Sequence, residues 1–366
     1  MPEPFKNNFD ETAISTMAEH LARGNADFNV DSFISFATSG LEDLELKQRS
    51  SRLTDALELY LPKDYKTAAN ILTASLDTPK QPGIHGWPIM PMADYIARHG
   101  LQDVEFSLDV LKAMTSRFTS EFAIRPFILT HPKLTLKTLS HWAKDKDEHV
   151  RRLVSEGTRP RLPWGIQLKP FVKDPTAVLP LLESLKNDPS EYVRRSVANH
   201  LNDISKDHPD LVVELAKGWM VKAPKDRRRL IKHGLRTLIK AGHPGALSAL
   251  GYTSPKVTVS HFEILTDTVQ LGEAAHFTLN IRSTTNKDQP LIIDYAVHHV
   301  RSGGKNTKKV FKWKNVTLKG HETLNITRRH AFKKISTRRY YSGCHKIEIL
   351  VNGKSLGKAA FTLLLN

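Results

Sequence analysis

Near Thr253 the apolar period of this 366-residue chain changes. Before that point apolar residues recur at three and four, as in Leu53, Leu57, Tyr60 and Leu61, or Leu179, Leu182 and Leu185, which is the stripe of an amphipathic helix. After it the period is two. Lys256-Val-Thr-Val-Ser-His-Phe-Glu, Ala275-His-Phe-Thr-Leu-Asn-Ile-Arg and Lys346-Ile-Glu-Ile-Leu-Val all alternate, as half-buried strands do. A helical stripe and a pleated face are different side-chain geometries, so the chain is expected to form two domains. Residues 1–252 would be all-α and residues 253–366 all-β, with a boundary near Gly251. About seven strands are expected in the second part, with turns at Gly303-Gly304 and Asn352-Gly353. That number suggests a small antiparallel sandwich of immunoglobulin-like architecture. The single cysteine, Cys344, excludes an intrachain disulfide and a Cys-based zinc site.

The helical part carries a repeat. Val150-Arg-Arg-Leu-Val-Ser-Glu-Gly aligns with Val193-Arg-Arg-Ser-Val-Ala-Asn-His-Leu, and Arg227-Arg-Arg-Leu-Ile-Lys-His-Gly-Leu aligns with both. Each segment follows another short helical stretch, so the unit is a helix pair, and prolines at Pro175, Pro189 and Pro209 mark helix starts. A spacing near 40 residues with paired helices points to a HEAT-like repeat solenoid. The arginine pairs 151/152, 194/195 and 228/229 would then recur on equivalent helices. They could line one basic surface, or one arginine of each pair could bridge to an acid of a neighbouring repeat.

Charge is distributed unevenly. The formal net charge is +16, with −5 over residues 1–100, +9 over 101–252 and +12 over 253–366. Between Arg301 and Arg339 stand 13 basic residues and one acid, Glu322. A localised basic face suits a polyanionic partner, and duplex DNA is the reading that footprint favours. No apolar run approaches a membrane span, and the N-terminus shows no signal peptide, so a soluble intracellular protein is expected. No HExxH, P-loop or dinucleotide fingerprint occurs, and neither metal nor cofactor is expected. His298-His299, on an expected strand, is read as surface chemistry.

Three acids stand out by position. Glu156 ends the first Arg-Arg helix, just before Gly157, and Asp203 ends the helix of the second copy. Glu121 lies one helix pair earlier, in Phe118-Thr-Ser-Glu-Phe-Ala-Ile-Arg-Pro-Phe. A carboxylate gains little from the dipole at a helix C-terminus, which leaves ion pairing with Arg152 or Arg125 as the bland account. Trp164 sits in the Pro-rich loop Arg159-Pro-Arg-Leu-Pro-Trp-Gly, whereas Trp142 lies on a helical apolar stripe.

Four segments, residues 85–100, Phe118–Phe127, Val150–Trp164 and Val193–Asp203, together resemble the AlkC branch of the AlkC/AlkD DNA alkylation repair glycosylases. The likeness extends over most of residues 1–252, and the basic second domain resembles the immunoglobulin-like domain found on part of that branch. The resemblance implies a bacterial DNA glycosylase of base excision repair that acts on N-alkylated bases in duplex DNA without conventional base flipping. It implies functional roles at Glu121, Glu156, Asp203 and Trp164. Candidate DNA contacts are Arg152, Arg159, Arg194, Arg195 and, in the turn Ser302-Gly-Gly-Lys, Lys305. A monomer in the cytoplasm, at the nucleoid through DNA, is expected.

The chemistry suits these residues. A base such as 3-methylcytosine, 1-methyladenine or 3-methyladenine can be cationic and departs neutral, so no general acid is required, unlike sugar hydrolysis. What remains is to stabilise an oxocarbenium-like sugar and orient water, which placed carboxylates do. Trp164 could add cation–π attraction. No lysine announces itself as a Schiff-base nucleophile, so a monofunctional enzyme leaving an abasic site is expected. The alternatives are a non-catalytic module that recognises bent or damaged duplex, and a protein scaffold with a basic tail.

Overall fold

The computed structural model describes residues 3–303, 306–336 and 338–365. The chain forms two compact units, Met1–Asp207 and His208–Asn366. In the first, short helices follow one another and pack pairwise. The helix Glu148–Gly157 starts at Asp147, whose side chain accepts from the His149 amide at 2.8 Å. The helix Glu191–Ile204 repeats its register. Val150, Leu153 and Val154 in one copy, and Val193, Val197 and Leu201 in the next, are buried. The two helices lie side by side, and the Ser155 carbonyl meets His200 Nδ1 at 3.0 Å. Pro209 opens the helix Pro209–Met220 as read, whereas Pro175 precedes only the short 3-10 turn Thr176–Val178 and Pro189 stands one residue before Ser190, the N-cap of the helix Glu191–Ile204. Trp142 is buried on its stripe.

In the second unit, helices between Pro209 and Ala249 precede the strands. The strands are β1 Val257–Ile264, β2 Thr268–Gln270, β3 Ala274–Ser283, β4 Gln289–Val300, β5 Asn306–Leu318, β6 Thr323–Ala331, β7 Gly343–Val351 and β8 Lys354–Leu364. They make two sheets, β1-β3-β6 and β2-β8-β7-β4-β5. Phe277, Ile293, Tyr295, Phe332, Ile347 and Phe361 lie in the core between them. Eight strands among the described residues, against the seven expected, reflect β2: three residues are too few to show alternation. β2 also runs parallel to β8, so the larger sheet is mixed.

One feature corrects the sequence reading. His299 is 3% exposed and its ring packs 6.1 Å from Phe332, because adjacent strand residues face opposite ways and only His298 of the pair points outward, to Glu348 at 2.8 Å. The helix-to-strand switch falls where the period changes, between Ala249 and Val257, and the compact second unit holds the helices from His208 on together with the strands. Within that unit a turn of the helices and a turn of the strands meet at their backbones. The Asn352-Gly353 turn between β7 and β8 has φ of 45° and 78°, and a Cβ built on Gly353 would lie 2.6 Å from Gly242 Cα. The hairpin tip thus sits directly on the turn after the helix Arg236–Lys240.

Candidate active site

Helix register places Glu156. With Val150, Leu153 and Val154 turned into the core, Arg152 and Glu156 lie one turn apart on a different face (i, i+4). In the next repeat the same register would give Arg195 and Asn199, so the partners that helix supplies, Ser196 and Asp203, stand at other positions, Asp203 in its last turn. Ser196 Oγ donates to Glu156 Oε2 at 2.6 Å across the two helices. Glu121 comes from the segment before the helix Ile124–Thr130. Its Oε2 accepts from Thr119 Oγ1 at 2.8 Å and pairs with Arg152 Nη1.

The three acids join into one chain of charge. Arg152 bridges Glu121 and Glu156, the latter at 3.5 Å. Arg159 bridges Glu156, at 2.6 Å, and Asp203, at 2.8 Å. Lys206 closes the row on Asp203 Oδ1 at 2.8 Å. The side chains of Glu121, Glu156 and Asp203 are 11%, 7% and 2% exposed. Burial pulls the Arg159 guanidinium down, but the charges of Glu156 and Asp203 outweigh it and hold its pKa above the ordinary value. Buried carboxylates need such partners. Successive repeats have therefore brought the three predicted acids together. Pairing of the acids with Arg152 was expected from the sequence and is seen, whereas the bridging role of Arg159 and the Ser196 bond were not read from it. The one signal for Arg159 was its position three residues after Glu156.

Arg125 does not pair with the acids. It is fully buried, and donates from Nε to the Ile166 carbonyl at 2.7 Å and from Nη1 to the Gly157 carbonyl at 2.8 Å. Burial, with the Arg159 charge adding to it, pushes its pKa down to about 10 against the opposing pull of Glu121, Asp203 and Glu156. Its bonds tie the end of the Glu156 helix to the loop that carries Trp164. Trp164 itself has φ of +66° and is 54% exposed, and its carbonyl is held by Lys47 Nζ. Buried His200 stays neutral, since burial lowers its pKa to about 3.

The arginine pairs divide their work. Arg151 grips Asp188 through Nε and Nη2, at 2.6 and 3.0 Å, and also the carbonyl of Asp145. Arg194 donates to the carbonyls of Asp188 and Pro189 at 2.6 and 2.8 Å. These first arginines fasten the turn before their own helix. The second ones differ: Arg152 enters the acid row, and Arg195 is largely exposed with Glu191 at 3.2 Å. Lys305 lies outside the described residues.

The site is thus a buried row of acids carried by a helical repeat array, and a basic two-sheet domain follows it in the chain. The family described as "DNA alkylation repair enzyme" matches residues 112–220, which include all three acids. The family described as the C-terminal Ig-like domain of protein YhaZ matches residues 258–365. The Bacillus subtilis (strain 168) protein YhaZ is 38% identical over 353 residues, 95% of this chain and 96% of YhaZ. A solved structure of the Pseudomonas fluorescens alkylpurine DNA glycosylase AlkC, bound to DNA containing an abasic site analog, is 36% identical. It aligns over 99% of this chain and 100% of that one with a TM-score of 0.91. This chain belongs to the AlkC-type family of DNA alkylation repair glycosylases.

Proposed function

We propose that the protein is a monofunctional, monomeric bacterial DNA glycosylase that hydrolyses the N-glycosidic bond of cationic N-alkylated bases in duplex DNA. The product would be an abasic site, and no conventional base flipping would be needed. Its place would be the cytoplasm, on the nucleoid. The observation that carries the proposal is the row Glu121–Arg152–Glu156–Arg159–Asp203, three buried acids from successive repeats inside a matched alkylation-repair segment. A cationic leaving group needs no proton, so negative charge aimed at the developing sugar cation is the main requirement. Both oxygens of Glu156 and of Asp203 already accept from donors. Among the described residues the hydrogen bonds to Glu121 fall on Oε2, leaving Oε1 for water. Glu121 is therefore assigned the water and its proton, and Glu156 and Asp203 the field.

The assay is duplex carrying 3-methylcytosine, 1-methyladenine or 3-methyladenine, incubated with protein and cleaved with alkali. Strand breaks at the lesion support the proposal. Tight binding without breaks would leave a non-catalytic reader of damaged duplex.

DNA affinity should fall steeply with salt, since 6–10 phosphate contacts cost about 10³–10⁵ in affinity between roughly 50 and 200 mM. Arg195→Ala should reduce that slope by about one and leave stability unchanged. Arg194→Ala should do the reverse, because it removes hydrogen bonds from a charged donor worth about 1.5–3 kcal/mol. Anisotropy titrations at several salt concentrations, with melting curves for each variant, check both. A flat salt response would remove DNA as the partner.

A further inference from the structure

We propose that Phe5 and Trp164 form a stacking site for an unstacked nucleobase, a surface separate from the acid row and continuous with it. Phe5 is 60% exposed and Trp164 54%. Their ring centroids are 6.4 Å apart at 73°, and Phe5 leans on Trp87 at 5.6 Å. Trp87 in turn lies 5.2 Å from Phe118, the residue before Thr119, whose hydroxyl bonds Glu121. The aromatic row therefore leads from solvent to the first acid.

Both exposed rings are held out by the first turn of one helix, Leu46–Tyr60. Its N-cap Glu45 pairs with Lys6 at 2.9 Å. Arg49, buried, donates to the carbonyls of Lys6 and Phe9 at 3.1 and 3.2 Å. Those bonds fix the 3-10 turn Phe5–Phe9 and with it the Phe5 ring. Lys47 holds the Trp164 carbonyl, and Trp164 keeps a left-handed backbone at φ +66°. That conformation is unfavourable for a non-glycine residue and persists only where the surroundings over-determine it. Fixed, exposed π-faces suit a base, which has two such faces and needs no sequence match to stack. Phosphate offers charge but no face. The occupant rests on DNA being the substrate: excision without flipping leaves the base opposite the lesion without a partner, and such a base can leave the stack.

Of the five tryptophans, Trp164 is the exposed one, so its fluorescence reports the contact. A single-stranded oligonucleotide and one of equal length built wholly of abasic sites carry the same phosphates. The base-bearing strand should bind about tenfold more tightly, within the range of one base–aromatic stack, and quench tryptophan emission. Phe5→Ala should remove most of that preference, and Phe5→Tyr should keep it. Equal affinity of the native protein for both strands, or an undiminished preference in Phe5→Ala, overturns the stacking site. Excision of a lesion by a protein lacking the preference would sink this site alone. A preference without excision would sink the glycosylase function and leave the site standing.

Discussion

Glu156→Gln should lower single-turnover excision by about 10²-fold or more, the usual scale for one electrostatic group aimed at a transition state, with little loss of fold or DNA affinity. The geometry explains why this substitution is clean. Glu156 Oε1 accepts from Arg159 and faces Arg152, and Oε2 accepts from the Ser196 hydroxyl. A glutamine can keep its carbonyl on the two guanidiniums and turn its NH₂ to Ser196, because a hydroxyl accepts as well as donates. Asp203→Asn should behave differently. Its two oxygens face Arg159 Nε and Lys206 Nζ, and neither partner can accept. One bond is lost and the amide nitrogen meets a donor, at a cost of about 1–3 kcal/mol. Lys206, 42% exposed, can swing to water and limit the damage. Asp203→Asn should therefore lose excision and melt earlier, whereas Glu156→Gln should lose excision alone. Rates at saturating enzyme, DNA affinity and melting must be measured side by side. If either variant loses binding in proportion to excision, that acid has a structural role.

The parts of this site legible in the sequence are those set by register. Val150-Arg-Arg and Val193-Arg-Arg repeat, so a reader can align the helices and see acids near two helix ends. Which guanidinium each acid meets is decided by packing between repeats. Arg159 reaches Asp203 across a whole repeat, and the nearby Arg125, an equally plausible partner, is spent on carbonyls. The left-handed backbone of Trp164 had no sign in the sequence, since the loop is held from elsewhere by Lys47 and Arg125. Phe5 gave no signal at all. It stands in the acidic first third of the chain, where charge argues against DNA, and its exposure depends on Arg49 some forty residues on.

The largest stability effect is expected where the two kinds of sequence meet. Gly353→Ala should destabilise the second unit by about 2–4 kcal/mol, in the upper range of single substitutions. Two costs add. At φ +78° an L-residue pays about 1–2 kcal/mol in backbone strain. Its new Cβ would also lie 2.6 Å from Gly242 Cα and 2.9 Å from the Gly242 carbonyl oxygen, backbone atoms that cannot swing aside. Gly251→Ala separates the two terms. Gly251 has nearly the same φ, +83°, and nothing within 4 Å of its would-be Cβ, so it should pay the strain alone. The difference between the variants, read by denaturant unfolding, measures how firmly the β7–β8 hairpin holds the turn at Gly242. A large difference means that the helices between Pro209 and Ala249 rely on the strands. A chain ending at residue 252 should then lose those helices, seen as lower ellipticity per residue and early proteolysis after Asp207. The consequence for function follows: removing the basic sandwich would also unsettle the last helical repeat, with its Arg227-Arg-Arg segment, so such a truncation cannot be read as loss of sandwich contacts to DNA alone. Equal costs for the two glycine variants would restore an independent domain border near Gly251.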